Sequence, residues 1–319
     1  MLEGVVVRST GSHYSVRGAD GRVHDCVAKG NLRIKGFKST NPIAVGDRVT
    51  FEQGQGDRVG AVIEVHDRRN YLVRRSVNLS HQKSIIAANL DLAVLMATLA
   101  RPRTSTGFMD RFLVAAEAYQ VPVVLLFNKV DAYDDDQLTE LSELERAYAR
   151  AGYRALRTSA LIGAGLGEVR TVLRGKVTLL SGHSGVGKST LLNAIQPGLG
   201  LRTGEVSETT TKGQHTTTFA EMFELHDDPG TFVIDTPGIK GFGLVDLDAA
   251  TIADQFPEFF RLRSGCRFSS CTHLHEPGCA VRAALSSGDV AAFRYRSYVD
   301  MVNGVDDEKS YRTDRPPSR

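Results

Sequence analysis

Nine consecutive residues carry the strongest chemistry in this chain: Gly182, His183, Ser184, Gly185, Val186, Gly187, Lys188, Ser189 and Thr190. They fit the phosphate-loop pattern, Gly, four residues, then Gly-Lys-Ser. Glycines at this spacing let successive backbone N–H groups turn inward around phosphate oxygens, and a helix starting at the lysine adds its dipole. Lys188 would reach the terminal phosphates and Ser189 would ligate Mg²⁺. A chance loop would lack the flanks seen here. Residues 176–181 (KVTLLS) are apolar and β-prone, and 191–195 (LLNAI) suit a helix. We expect a nucleoside triphosphate with Mg²⁺.

Which base the site takes is addressed by Asn128, Lys129, Val130 and Asp131, which close the apolar run 121–127 (VPVVLLF). A carboxylate at Asp131 can accept from both N1–H and the exocyclic amine of guanine. Adenine offers neither in that arrangement, and a site built for such bonds rejects a base lacking them. Lys129 would lie along the base plane and Asn128 would pin neighbouring loops. Taken alone, these four residues could equally be a strand-end turn. Ser159 and Ala160 follow a short strand at 153–156 and resemble the second guanine loop of GTPases, where a backbone N–H meets the guanine O6. A further buried strand, 231–235 (TFVID), ends at Asp235-Thr-Pro-Gly238. There Asp235 can hold the Mg²⁺ water shell and the Gly238 N–H can bond the γ-phosphate, a bond that hydrolysis removes. Between these motifs lies a Thr-rich polar stretch, 209–218, in which Thr216, Thr217 and Thr218 are each candidates for completing the Mg²⁺ shell.

A second cluster is metal-like. Cys266, Cys271, His273 and Cys279 supply three thiolates and an imidazole, a full tetrahedral set for Zn²⁺ with no position left open. His275 is a rival fourth ligand. Such a zinc is structural, tying a segment whose own core is small. The remaining cysteine, Cys26, stands apart, so no disulfide framework is indicated.

These groups require three supports. Residues 1–76 hold five short alternating runs, near 4–8, 13–17, 22–27, 47–51 and 60–65, separated by turn residues; this predicts an OB-type β-barrel. Basic residues with an aromatic (Lys29, Arg33, Lys35, Phe37, Lys38) lie between its third and fourth strands, a composition suited to RNA. A second basic run, Arg68-Arg69 and Arg74-Arg75, marks its exit. Residues 77–243 show buried strands at 90–97 and 121–127 around a helix at 108–119, the β-α-β unit of a parallel sheet. We expect a central α/β phosphate-loop GTPase domain there and a small zinc-binding module with helices over 244–319. A helix at 289–301 carries Phe293, Arg294, Tyr295, Arg296 and Tyr298, to pack on the zinc module or meet rRNA. The polar tail from about 306 is expected to be disordered.

Bulk properties narrow the class. The chain of 319 residues is 41% apolar and 24% charged, with a net charge of +2. The charge is uneven: residues 1–85 hold 14 Lys/Arg against 8 Asp/Glu, and the rest 25 against 29. A basic front end favours a polyanionic partner. No signal peptide or membrane-length apolar run is evident. We expect a cytoplasmic monomer with no membrane partner.

Taken together, NKVD, TSAL, GHSGVGKST, the Thr-rich stretch and DTPG resemble the motifs of translation-factor-related GTPases. Their order is rotated, with base recognition ahead of the phosphate loop. The chain is thereby similar to the circularly permuted GTPases, and its barrel and Cys/His cluster resemble the group dependent on the small ribosomal subunit. The resemblance implies hydrolysis of GTP to GDP and phosphate, stimulated by the 30S subunit late in its maturation, with 16S rRNA as the bound polyanion. Ile239 stands where many GTPases place a water-orienting Gln, and an apolar side chain cannot orient water, so intrinsic hydrolysis should be slow. The resemblance points to His215 as the catalytic substitute. Permutation also sends the Gly238 segment straight towards the zinc module, which predicts a GTP-dependent clamp on RNA. Rival readings are an RNA-binding checkpoint factor with incidental hydrolysis and a large-subunit assembly GTPase. A zinc hydrolase is disfavoured by the closed ligand set.

Overall fold

The computed structural model describes residues 1–33, 39–54, 58–75, 83–201, 220–236 and 247–305. Several expectations lie outside these residues: Lys35, Phe37 and Lys38, the Thr-rich stretch with His215 and Thr216–Thr218, Gly238, Ile239 and the tail from 306.

Alternating apolar residues build the N-terminal barrel. Strands β1 (Leu2–Ser9), β2 (His13–Gly18) and β3 (Val23–Arg33) form a meander. After β4 (Ser39–Asn41) come β5 (Arg48–Glu52) and β6 (Gly60–Val65). The order β1-β2-β3-β6-β5 closes through a β1–β5 pairing, with β3 parallel to β6. That is the five-stranded Greek-key barrel expected. Val6, Tyr14, Val16, Val49, Phe51 and Val62 fill it. Strands β7 (Tyr71–Arg75) and β8 (Lys83–Ala88) pair antiparallel and, with β4, make a small second sheet that the sequence reading did not anticipate.

Next come β9 (Leu92–Ala97), helix α1 (Thr106–Ala118), β10 (Val123–Phe127), α2 (Asp135–Ala151), β11 (Arg154–Arg157) and α3 (Leu166–Leu173). They are followed by β12 (Val177–Gly182), α4 (Lys188–Ile195), β13 (Glu221–Glu224) and β14 (Phe232–Asp235). The sheet order is β11-β10-β9-β12-β14-β13, parallel except for β13. Strands β9 and β10 are buried throughout, which explains their unbroken apolar runs. One face packs α1 and α2 and the other packs α3 and α4. Edge strand β13 pairs with barrel strand β1 through Arg8 opposite Glu221, so barrel and central sheet share one hydrogen-bonded ladder.

The C-terminal segment adds α5 (Ala249–Asp254), α6 (Pro257–Leu262), α7 (Ala280–Ser287) and α8 (Ala292–Val302). Their core gathers Phe256, Phe259, Val281 and Tyr298, and α1 contributes Val114. Among the described residues, no helix is long and apolar enough to cross a membrane.

Candidate active site and metal centre

Four motifs converge at the carboxyl ends of parallel strands, where open α/β sheets bind ligands. Asn128–Asp131 follow β10, Ser159 and Ala160 follow β11, the phosphate loop leaves β12, and Asp235 ends β14. Asn128 joins three of them. Its side-chain amide donates to the Val186 carbonyl at 2.8 Å and its carbonyl accepts from the Ala160 N–H at 3.1 Å. It is the pin between loops that its residue type suggested. Gly187 sits directly against it: with φ of 100°, a Cβ there would lie 2.4 Å from the Asn128 amide nitrogen, so only glycine fits.

Lys188 opens α4, whose first N–H groups have no side-chain cap. Its ammonium donates to the carbonyls of Gly182 and His183 at 2.8 and 3.0 Å. Burial pulls this amine down to about 8, against the opposing pull of the Asp235 carboxylate. Phosphate oxygens would replace the two carbonyls as stronger, charge-assisted partners. Ser189 is half-buried beside it, while Asp235 is buried at the end of β14. Their hydroxyl and carboxylate are the donor types that a Mg²⁺ site beside a phosphate loop would use. Ser184 and Gly185 form the outward part of the loop, and Val186 is buried beneath it.

Asp131 is exposed in the short turn that follows β10. Lys129 takes a left-handed conformation (φ 65°) and its ammonium donates to the Arg101 carbonyl at 2.6 Å. The loop after β9 therefore positions Lys129. Sequence reading missed this, because a backbone carbonyl leaves no residue-type signal. In the loop after β11, Ser159 accepts from the Ile162 N–H and is bridged to Ala164.

Cys266, Cys271, His273 and Cys279 bring their ligand atoms within 4.8 Å of one another, a cluster that could hold a metal ion. His273 Nδ1 lies 3.6 Å from Cys266 Sγ and 3.4 Å from Cys279 Sγ, close to the ligand separations around a tetrahedral ion. The rival His275 is exposed and falls outside the cluster. Burial, with neighbouring Cys279 and Cys266, raises the Cys271 thiol to about 12; a divalent cation relieves this resistance to ionisation. Glu276 is an organiser the sequence reading overlooked. Its carboxylate accepts from the Thr272 hydroxyl and from the N–H groups of Thr272, Leu274 and His275; burial opposes ionisation, but the bonds led by those from Thr272 hold it at about 2.

Two basic residues are committed to buried carboxylates, and for Arg294 this corrects the sequence reading. Arg294 does not face RNA: it is 1% exposed, grips both oxygens of Glu258 at 2.8 and 3.0 Å, and bonds Asp110 at 2.8 Å. Burial of two carboxylates demanded a cation, and Arg294 is consumed there. Arg68, in the basic run at the barrel's exit, is likewise held by buried Asp47 at 2.6 Å. Arg296 on α8 remains exposed.

Fold and site thus define a phosphate-loop GTPase in which base-recognition strands precede the phosphate loop along the chain, a circular permutation. Residues 65–245 match the family model for the RsgA GTPase, and residues 3–62 match that for the RsgA N-terminal domain. The chain belongs to the RsgA GTPase family. It is 49% identical over 98% of its length to a protein of Flavobacterium psychrophilum, covering 95% of that protein. It is 50% identical over 97% of its length to one of Bacteroides fragilis, covering 98% of that chain. Both are named small ribosomal subunit biogenesis GTPase RsgA. The crystal structure of YjeQ from Thermotoga maritima is similar at 35% identity with a TM-score of 0.75, over 95% of this chain and 98% of that one. YloQ, described as a circularly permuted GTPase, is similar at 28% identity with a TM-score of 0.70, over 100% and 97% of the two chains.

Proposed function

We propose that this GTPase acts in the cytoplasm as a monomer on the maturing small (30S) ribosomal subunit, binding 16S rRNA and hydrolysing GTP when the subunit stimulates it. The observation that carries the chemistry is Asn128, which ties the guanine loops to the phosphate loop in one hydrogen-bonded unit. The subunit partner rests on the names of relatives that match nearly end to end. Asp131, with Lys129 and Val130, selects guanine, and Ser159 and Ala160 close the pocket. Residues 182–190 wrap the phosphates. Ser189 and Asp235 would hold Mg²⁺, which supplies charge neutralisation on the phosphates. Gly238 would sense the γ-phosphate. His215 is the residue we assign to orienting the attacking water, since imidazole can accept from water near neutral pH.

The Cys266, Cys271, His273 and Cys279 set suits one structural Zn²⁺ with no catalytic position. We divide the chain into an RNA-binding barrel (1–76), the GTPase domain (77–243) and the zinc module (244–319). GTP hydrolysis measured alone, with 30S and with 50S subunits, beside an ATP control, tests the reading. Stimulation by 30S alone is expected. Stimulation by 50S alone would move the protein to large-subunit assembly, and equal ATP turnover would overturn the role of Asp131.

A further inference from the structure

Helix α1 is buried on every side, and residues two apart on a helix point in nearly opposite directions. Phe108 and Asp110 illustrate this. The Phe108 ring packs on the His183 ring of the phosphate loop, with centroids 3.9 Å apart. Asp110 faces away, towards α6 and α8, where it meets Arg294. One turn on, Val114 sits in the core of the C-terminal module while Phe112 sits in that of the central sheet. The helix is therefore clamped between phosphate loop and zinc module.

Each end of the clamp is stiff. At the loop, the His183 carbonyl accepts from Lys188, so the seating of His183 bears on the phosphate-binding lysine. At the module, Arg294 is enclosed by Asp110, Glu258 and the Phe256 ring. Beyond Arg294 on α8, the Tyr295 hydroxyl donates to the His273 carbonyl at 2.7 Å, and that of Tyr298 donates to the Thr272 carbonyl. Packed interiors do not deform continuously, so a displacement of α8 moves α1 as a body.

We propose that Phe108, Asp110 and Arg294 are positioning residues for nucleotide binding: through α1, the seating of the C-terminal module sets the shape of the phosphate loop at His183. The proposal rests on the reading that this loop binds guanine nucleotide, and the reciprocal holds by linkage, so nucleotide stabilises the seating of the module.

A double-mutant cycle on the full-length protein as purified tests it, read by the dissociation constant of N-methylanthraniloyl-GDP. Arg294→Met and Phe108→Leu are each expected to weaken binding about fivefold to tenfold. The double variant should be no more than about tenfold weaker, because both interrupt one path. Multiplied effects, or an unchanged dissociation constant in folded Arg294→Met, would overturn the proposal. Should Arg294→Met fail to fold, Asp110→Asn gives the same reading with the shape kept, and Arg294→Lys should recover part of the lost affinity. In wild type the His183 ring protons should show a ring-current shift from Phe108 that shrinks in the Arg294 or Asp110 variant; a shift that stays put would also count against it. A wild-type protein that binds no GDP would sink the site assignment itself, a result distinct from failure of the coupling.

Discussion

The barrel and the zinc module both dock on the central sheet, by opposite physical means. The barrel joins by an edge-strand pairing, with a cavity of about 460 Å³ left beside it. Val5 and Val7 of the barrel line that cavity opposite Val177, Met222 and Phe232 of the sheet. An Arg17–Glu224 pair at 2.6 Å bridges the gap, with side chains 33% and 29% exposed. The C-terminal module meets α1 in an apolar contact around the enclosed Arg294, Asp110 and Glu258. Solvated, partly exposed charges cost little to separate, whereas buried charges that lose a partner cost several kcal/mol. The comparison teaches that charges at the barrel junction cost less to separate than those that hold the C-terminal module to α1.

That contrast revises one expectation. A clamp driven through the Gly238 segment would have to carry α1 along with the zinc module, since the buried triad couples them. Among the described residues no such buried triad joins barrel to sheet, where Val5, Val7 and Val45 pack on the central core and the Ala88 N–H donates to the Val45 carbonyl.

The contrast can be broken or sharpened by measurement. The largest effect should follow loss of the metal. Cys271→Ser, or stripping with a strong chelator, should remove cooperative unfolding of the C-terminal module, because the tie between these clustered donors is lost with the ion. Calorimetry with metal analysis checks this, and an unchanged melting profile would mean that the module's apolar core suffices. Next is Arg294→Met, expected to cost about 3–5 kcal/mol at neutral pH by stranding Asp110 and Glu258. Burial already pushes the Asp110 carboxyl up from its usual range, against the pull of Arg294. With Arg294 gone, that carboxyl should titrate higher still. The variant's deficit should therefore shrink as pH falls and Asp110 takes up a proton, and grow as pH rises. Denaturant titrations at pH 5 and 8 read the difference.

Arg17→Ala should cost at most about 1 kcal/mol, less at high salt, since its pair is a third exposed. A cost equal to that of Arg294→Met would erase the distinction between the two attachments. Smallest is filling the cavity with Val7→Leu, expected to change stability by less than about 1 kcal/mol. Its value lies in hydrogen exchange: slower exchange at β13 would show that the space permits barrel motion, and unchanged exchange would show that it does not.

Legibility followed the range over which each feature acts. The phosphate loop was readable because a short run of consecutive residues carries its geometry, and the structure seats it between β12 and α4. The five barrel strands were readable from period-two alternation, though β3 runs on to Arg33 where the alternation suggested Val27. The β7–β8 hairpin escaped because its Arg-Arg end reads as a basic run, not a strand. Helix α8 was found, yet its most polar residue was turned the wrong way. Helical periodicity assigns Arg to the surface unless a carboxylate waits inside, and Asp110 lies 184 residues away.

The sequence by itself determined the chemistry: guanine choice, phosphate cradle and a four-donor metal set each need particular atoms at short, fixed spacing. Tertiary structure alone decided how the parts are joined: Asn128 between three loops, β1 beside β13, and α1 held between phosphate loop and zinc module. The physical reason is combinatorial. Short motifs are constrained by local backbone geometry, whereas any of many Asp, Glu and Arg residues could have paired. Only burial, which makes an unpaired charge costly, singles out the ones that do.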